Sequence, residues 1–373
     1  MISGDSLKTY ILSTDHYYML RELKVLGSYS LSRLQGKKRP LVATFALTSY
    51  CNFYCPMCIF GMPDKEAQMA DALENDLKTE QWKHVMSKVA PHVVWSIVEG
   101  GEPTTRRDIM ELLGHLHSIG LGFTLITNGS MLHTLDLEEL ASYGVVCCSI
   151  DSVKEEAYCK IRGVSPSMYK RVMENVRLLS KYNVKRAINT VITKYNCDEF
   201  ITHEYFDFVR KELDVHAVNF SFVEDVFPSK YRLAPDRESK SKVAKAILDY
   251  AKSHDDPFVA TPFRYLKDMI EYGRAMYDAC ATWKVIFVQA DGSVIVPCYR
   301  FDSDENRMSI LKHSMDEIYR HRAWEITDRC NECDSFSCVW YLAQNPVNIA
   351  DAYIRGLISL IKYFAISKLG VKM

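Results

Sequence analysis

The sequence predicts an α/β fold: a partial (β/α)6 barrel followed by a small C-terminal α+β unit. Short apolar runs alternate with helix-period segments from Leu41 to about Glu224, the pattern of a parallel sheet wound with helices. Six such units fit within that span. Further on, KVIFVQADGSVIVPC from Lys284 to Cys298 reads as two strands joined by Asp291-Gly292, a strong hairpin signal. At 373 residues the chain has the length for one barrel-sized domain and a smaller appendage.

The first strand is LVATFALT, Leu41 to Thr48, apolar enough to be buried. WSIVEG from Trp95, FTLITNG from Phe123, VVCCSID from Val145, AINTVIT from Ala187 and AVNFSFV from Ala217 follow as strands. Between them TEQWKHVMSKVA, RRDIMELLGHLHSIG and SMYKRVMENVRLLSKY carry the helical period. In such a barrel, chemistry is expected at the C-terminal ends of the strands. The expected organisation is a basic helical extension over 1–40, the barrel over 41–235, the smaller unit over 236–340 and a basic amphipathic helix over 341–373.

The loop leaving the first strand is CNFYCPMC, with Cys51, Cys55 and Cys58. Three thiolates on one short loop can hold three irons of a cubane iron–sulfur cluster and leave the fourth iron open to a ligand. Zinc loops usually pair two thiols with a second pair or with histidines, and no His lies between Cys51 and Cys58. A structural zinc site stays the alternative. The spacing of three and then two residues resembles the signature of radical S-adenosylmethionine enzymes, in which the open iron of a [4Fe-4S] cluster is chelated by that cofactor.

Other strand ends resemble the same family. Gly100-Gly101-Glu102-Pro103 closes the second strand and is similar to the family's GGEP segment, which implies close backbone approach to the cofactor and acceptors for its ammonium; an ordinary strand-to-helix turn is the other reading. Ser149 and Asp151 end the fourth strand where members of the family contact the ribose, although Asp151 is also placed to cap the next helix. Arg162 resembles an arginine that pairs with the cofactor carboxylate, against the alternative of a surface arginine. Asn189 and the segment Thr127-Asn128-Gly129 sit at strand ends and line the expected cavity, unless Asn128-Gly129 is simply a turn. Met57 stands where the family commonly has an aromatic residue against the adenine. A thioether also packs on aromatic rings. Cys147, Cys148, Cys159 and Cys197 lack ligand spacing and read as small buried apolar residues.

A second cysteine set, Cys280, Cys298, Cys330, Cys333 and Cys338, surrounds and follows the hairpin. It resembles the twitch domain, the shortened relative of the SPASM domain, which implies a second, auxiliary [4Fe-4S] cluster and makes the C-terminal unit a cluster-binding one. Four of the five thiols suffice, with Cys338 as the leftover; a zinc knuckle is the alternative.

The net charge of −1 gives no reason to expect nucleic acid. It hides +4 over residues 1–40, +3 over 341–373 and about −8 between them. MISGDSLKTY lacks the apolar core of a signal peptide, so clustered thiols point to a reduced cytoplasm. From Ala350 to Lys368 a broad apolar face with basic edges suits either a helix at the inner membrane surface or one docked on the barrel. The resemblance implies reductive cleavage of S-adenosylmethionine to a 5′-deoxyadenosyl radical that removes hydrogen from a substrate C–H bond. It also implies a reducing partner such as flavodoxin or ferredoxin. The substrate is expected to be a small molecule, a peptide or a membrane lipid, and no catalytic acid or base is assigned. An iron–sulfur maturation or electron-transfer protein without radical chemistry is the alternative function.

Overall fold

In the computed structural model, residues 16–331 are described, apart from 62, 224–231, 255–257 and 277–279. Cys333, Cys338, Glu224, Asp225 and the whole segment 341–373 lie outside the described residues.

Six strands form the predicted parallel sheet: β1 (Val42–Ala46), β2 (Trp95–Glu99), β3 (Gly122–Thr127), β4 (Val145–Ser149), β5 (Lys185–Ile192) and β6 (Ala217–Phe222). They pair in sequence order. Alternation decides their faces. Along β5, Arg186, Ile188, Thr190 and Ile192 are buried toward the helices, while Lys185, Ala187, Asn189 and Val191 keep some exposure on the other face. Phe45, Val98, Leu125, Val146, Ile188 and Phe220 belong to one continuous core with the helices.

The helices form for local reasons. Thr79–Val89 buries Trp82, Val85, Met86 and Val89, an i, i+3, i+4, i+7 stripe. Pro166–Lys181 starts with Ser165, whose side chain accepts from the Met168 amide, and with Pro166 in its first turn. Glu155–Arg162 ends on Gly163 in the left-handed conformation.

The predicted hairpin is β7 (Val285–Val288) and β8 (Ser293–Ile295), antiparallel, with Gly292 at φ 78°. It does not stand apart. β7 runs parallel to β1 with Val42 opposite Val285 and Phe45 opposite Val288, and β9 (Arg307–Ser309) completes a nine-stranded sheet.

The helix His16–Leu34 precedes the barrel. Its Arg21 donates to the carbonyls of Ala90 and Val93 at 2.5 and 2.7 Å, and Tyr29 stacks on Trp283. Two further basic residues of this end are tied to the C-terminal unit: Lys38 to Asp328 at 2.8 Å and Arg39 to Asp316 at 2.5 Å. Among the described residues no helix is long and apolar enough to cross a membrane.

Candidate active site

The cysteine loop leaves β1 at its C-terminal end and is held from three sides. Asp76 accepts from Thr48 Oγ1 at 2.7 Å, the Ser49 amide at 3.0 Å and Ser49 Oγ at 2.9 Å. Gln68 donates to the Ser49 carbonyl at 2.8 Å, and Arg106 to that of Leu47 at 2.8 Å. Asn52 donates to Ser130 Oγ at 2.9 Å and accepts from Asn128 Nδ2 at 2.8 Å, which ties the loop to the end of β3. Sequence reasoning missed Asp76, Gln68 and Arg106, because a single polar residue on a helix or just after one carries no signal of its distant partner.

Glycines make the remaining room. A Cβ on Gly101 would stand 2.0 Å from the Tyr50 carbonyl oxygen, one on Gly61 2.1 Å from that of Cys55, and one on Gly163 2.3 Å from that of Tyr54. Gly100 adopts φ 127°, a conformation that favours glycine. The paired glycines thus receive the cysteine loop itself.

Cys51 and Cys55 are buried and Cys58 is exposed. Burial pushes the Cys51 thiol up to about 12 and the Cys55 thiol up to about 11. Cys51 feels the charge of Cys55 and Cys58, Cys55 that of Cys58, and Lys65 that of all three. Among the described residues no three such groups converge as ligands of one ion; a cubane takes one thiolate per iron and does not ask for such convergence. A fixed loop carrying three thiols within electrostatic reach of one another fits a cluster, whose iron would supply the positive charge that the enclosed Cys51 and Cys55 need to ionise.

The other predicted residues divide. Met57 packs partly buried against the core. The Glu102 carboxylate is buried and accepts four hydrogen bonds: from the Thr104 amide at 3.1 Å, Thr104 Oγ1 at 2.5 Å, Thr127 Oγ1 at 2.7 Å and the Asn128 amide at 2.6 Å. Pro103 begins a short 3-10 turn. Ser149, Asn189 and Asn219 stand opposite one another across β4, β5 and β6, with Asn219 donating to Asn189 at 2.9 Å. Asn128-Gly129 is indeed a turn, with Gly129 at φ 80°, yet Asn128 also reaches the cysteine loop. Asp151 does not cap a helix; Lys154 holds that position in the next one. Arg162 is buried rather than on the surface, and it binds Asp151. Glu99, the last residue of β2, has a carboxyl raised to about 7 by burial.

Part of the second cysteine set is also gathered. The Cys280 amide donates to the Cys330 carbonyl at 2.8 Å. Cys298 opens the turn Tyr299–Phe301, and Arg300, Phe301 and Cys330 line one open cavity of about 1010 Å³.

Comparison with known proteins agrees with the fold and with the family resemblance. Residues 45–203 match the model of the Radical SAM superfamily. The chain is 31% identical over 166 residues to the AdoMet-dependent heme synthase of Methanosarcina barkeri, covering 43% of this chain and 45% of that protein. It is 25% identical to the antilisterial bacteriocin subtilosin biosynthesis protein AlbA of Bacillus subtilis, covering 77% of this chain and 62% of that one. It therefore spans about half of the first relative and under two thirds of the second. Streptococcus suis SuiB bound to S-adenosylmethionine shares the fold at TM-score 0.66 and 19% identity, over 80% of this chain and 70% of that one.

Proposed function

We propose, from the premise that this chain belongs to the radical S-adenosylmethionine superfamily through residues 45–203, that it is an enzyme that opens an unactivated substrate C–H bond by reductive cleavage of that cofactor. The observation that carries the reading is the loop Cys51–Cys58, fixed at the C-terminal end of β1 by Asp76, Gln68, Arg106 and the two glycines that follow β2. When bound, a four-iron cluster and S-adenosylmethionine supply the electron transfer and the carbon radical for hydrogen removal.

The chain's own residues bind, orient and exclude water. Cys51, Cys55 and Cys58 hold the cluster. Met57, the backbone of Gly100 to Pro103, Ser149 and Asn189 face the cofactor. Glu102 acts through its backbone, since its carboxylate is already taken by protein donors. Cys280, Cys298, Cys330 and Cys333 hold an auxiliary cluster that takes an electron from the substrate or binds it; the Cys280–Cys330 backbone contact supports this. Flavodoxin or ferredoxin would supply the first electron.

A peptide is the leading substrate class, supported by the similarity to the PqqA peptide cyclase of Bradyrhizobium diazoefficiens, 28% identical over 181 residues and covering 48% of this chain and 44% of that protein. One observation favours a lipid as the second reading. The helix His16–Leu34 exposes Leu26, Leu31 and Leu34 at 41%, 59% and 86%, beside the exposed Lys24, Ser30 and Arg33, leucines and basic groups that a membrane interface would accept. The ion pairs of Lys38 and Arg39 weigh against it, because they direct basic charge toward the protein.

The deciding experiment replaces Cys51, Cys55 and Cys58 together with Ala. The variant is expected to lose one cluster's worth of iron and all 5′-deoxyadenosine formation with a strong reductant, while keeping the auxiliary iron. Continued 5′-deoxyadenosine formation by the variant overturns the reading. A wild type that binds iron yet makes none points to the electron-transfer alternative.

A further inference from the structure

Behind the cysteine loop lies an almost wholly buried ion pair. Arg162 donates from a terminal guanidinium nitrogen to Asp151 Oδ1 at 2.7 Å, and its Nε stands 2.6 Å from Oδ2. The Asp151 side chain is fully buried and that of Arg162 is 10% exposed. Asp151 is fixed in turn by the Val191 amide at 2.8 Å. The Arg162 carbonyl accepts from the Cys55 thiol at 3.4 Å, and the next residue, Gly163, lies against the Tyr54 carbonyl. Arg162 therefore touches the loop through its backbone and carries a positive charge under it through its side chain. Burial raises the Cys55 thiol, and the Arg162 guanidinium works against that rise.

Such a pair is poor value as a stabiliser. Desolvation of two buried ions cancels most of their attraction, and apolar residues of similar volume often do as well. A local reason for it is the negative charge of a thiolate-ligated cluster, which in a low-dielectric site needs a nearby cation.

We propose that the Asp151–Arg162 pair is the positioning device of the barrel cluster: Arg162 supplies the positive charge that sets the cluster's reduction potential, and Asp151 fixes where that charge stands. The inference rests on the cluster reading given above. Its sign follows from electrostatics. Reduction adds negative charge, so a stronger positive field raises the potential and a weaker one lowers it.

The test is a redox titration, followed by electron paramagnetic resonance, of the signal that is absent from the Cys51, Cys55 and Cys58 triple variant. Asp151→Asn leaves the guanidinium unneutralised and is expected to shift the potential upward. Arg162→Gln is expected to shift it downward. Arg162→Lys keeps the charge and is expected to stay near wild type, although it loses the two-point contact. Should Arg162→Gln fail to load iron, Asp151→Asn against Arg162→Lys decides. Potentials that do not move in Asp151→Asn, or that move the same way in Asp151→Asn and Arg162→Gln, overturn the proposal while leaving the cluster reading intact. A wild type that holds no iron on these cysteines overturns both.

Discussion

Glu99 and Glu102 close the same strand, and their carboxylates meet opposite surroundings. Glu102 takes four protein donors, so it joins the ends of β2 and β3 beneath the cysteine loop. Glu102→Ala strands the Thr104 and Asn128 amides without acceptors, a loss of about 3 kcal/mol. It is expected as a lower thermal midpoint of the metal-free protein at every pH. Glu99 shows no such partner among the described residues, and burial raises its carboxyl to about 7. In the unfolded chain it would titrate near the ordinary value of about 4.3. Its contribution to stability is therefore fully present below the unfolded value and is lost as pH rises through about 7. Glu99→Gln removes that dependence. The variant is expected to gain over wild type as pH is taken from 5 to 8, by at most about 3 kcal/mol, and to show little difference at pH 5. Thermal unfolding of the metal-free proteins across that range checks it; a gain that is equal at both ends refutes the assignment.

At the scale of the element, the loop from Thr48 to Gly61 is specified by space as much as by hydrogen bonds. Gly101→Ala puts a methyl group 2.0 Å from the Tyr50 carbonyl oxygen, a backbone atom that cannot swing aside. The variant is expected to fold with the loop displaced and to lose most of the barrel iron after reconstitution. Gly27, on the exposed side of the helix His16–Leu34, has open space around it. Gly27→Ala is expected to keep full iron and to gain about 0.5–1 kcal/mol from helix propensity. Iron content and thermal midpoint of the two variants separate loop packing from a general intolerance of alanine. Cys51, Cys55 and Cys58 were legible because their spacing is local. Asp76, Gln68 and Arg106 were not, since nothing in their neighbourhoods names Thr48, Ser49 or Leu47 as partners. The sequence marks Arg162 as an expected partner of the cofactor carboxylate, whereas its pairing with Asp151 depends on where β4 ends relative to the helix Glu155–Arg162.

For the molecule as a whole, the six-unit alternation disclosed the parallel sheet, and Asp291-Gly292 disclosed the hairpin. The sequence did not disclose that β7 would bond to β1. A short apolar strand reads alike at a sheet's edge and in a separate unit, and only the far side of β1 distinguishes them. The joint is extensive. Besides the β1–β7 ladder, the Leu77 amide donates to the Ala290 carbonyl at 2.8 Å and Lys88 to that of Ile310 at 2.6 Å. Lys38 reaches the Trp324 carbonyl at 2.6 Å as well as Asp328. The first cysteine set and the hairpin between Cys280 and Cys298 thus hang on one sheet, and the described part of the C-terminal unit cannot unfold without baring an edge of β1. Reconstituted wild type is expected to hold about eight irons as two four-iron clusters, and Cys280→Ser with Cys298→Ser about half of that. Because binding to the folded state alone stabilises it, the loss should lower a single cooperative melting transition of the whole chain. A separate early transition would mean that the C-terminal unit melts by itself. Cofactor cleavage should continue in the double variant, since its ligands lie on the other side of β1, while coupled product formation falls. One zinc and no iron lost in that variant would replace the auxiliary cluster by a structural ion. The barrel assignment would then rest, as it began, on Cys51, Cys55 and Cys58.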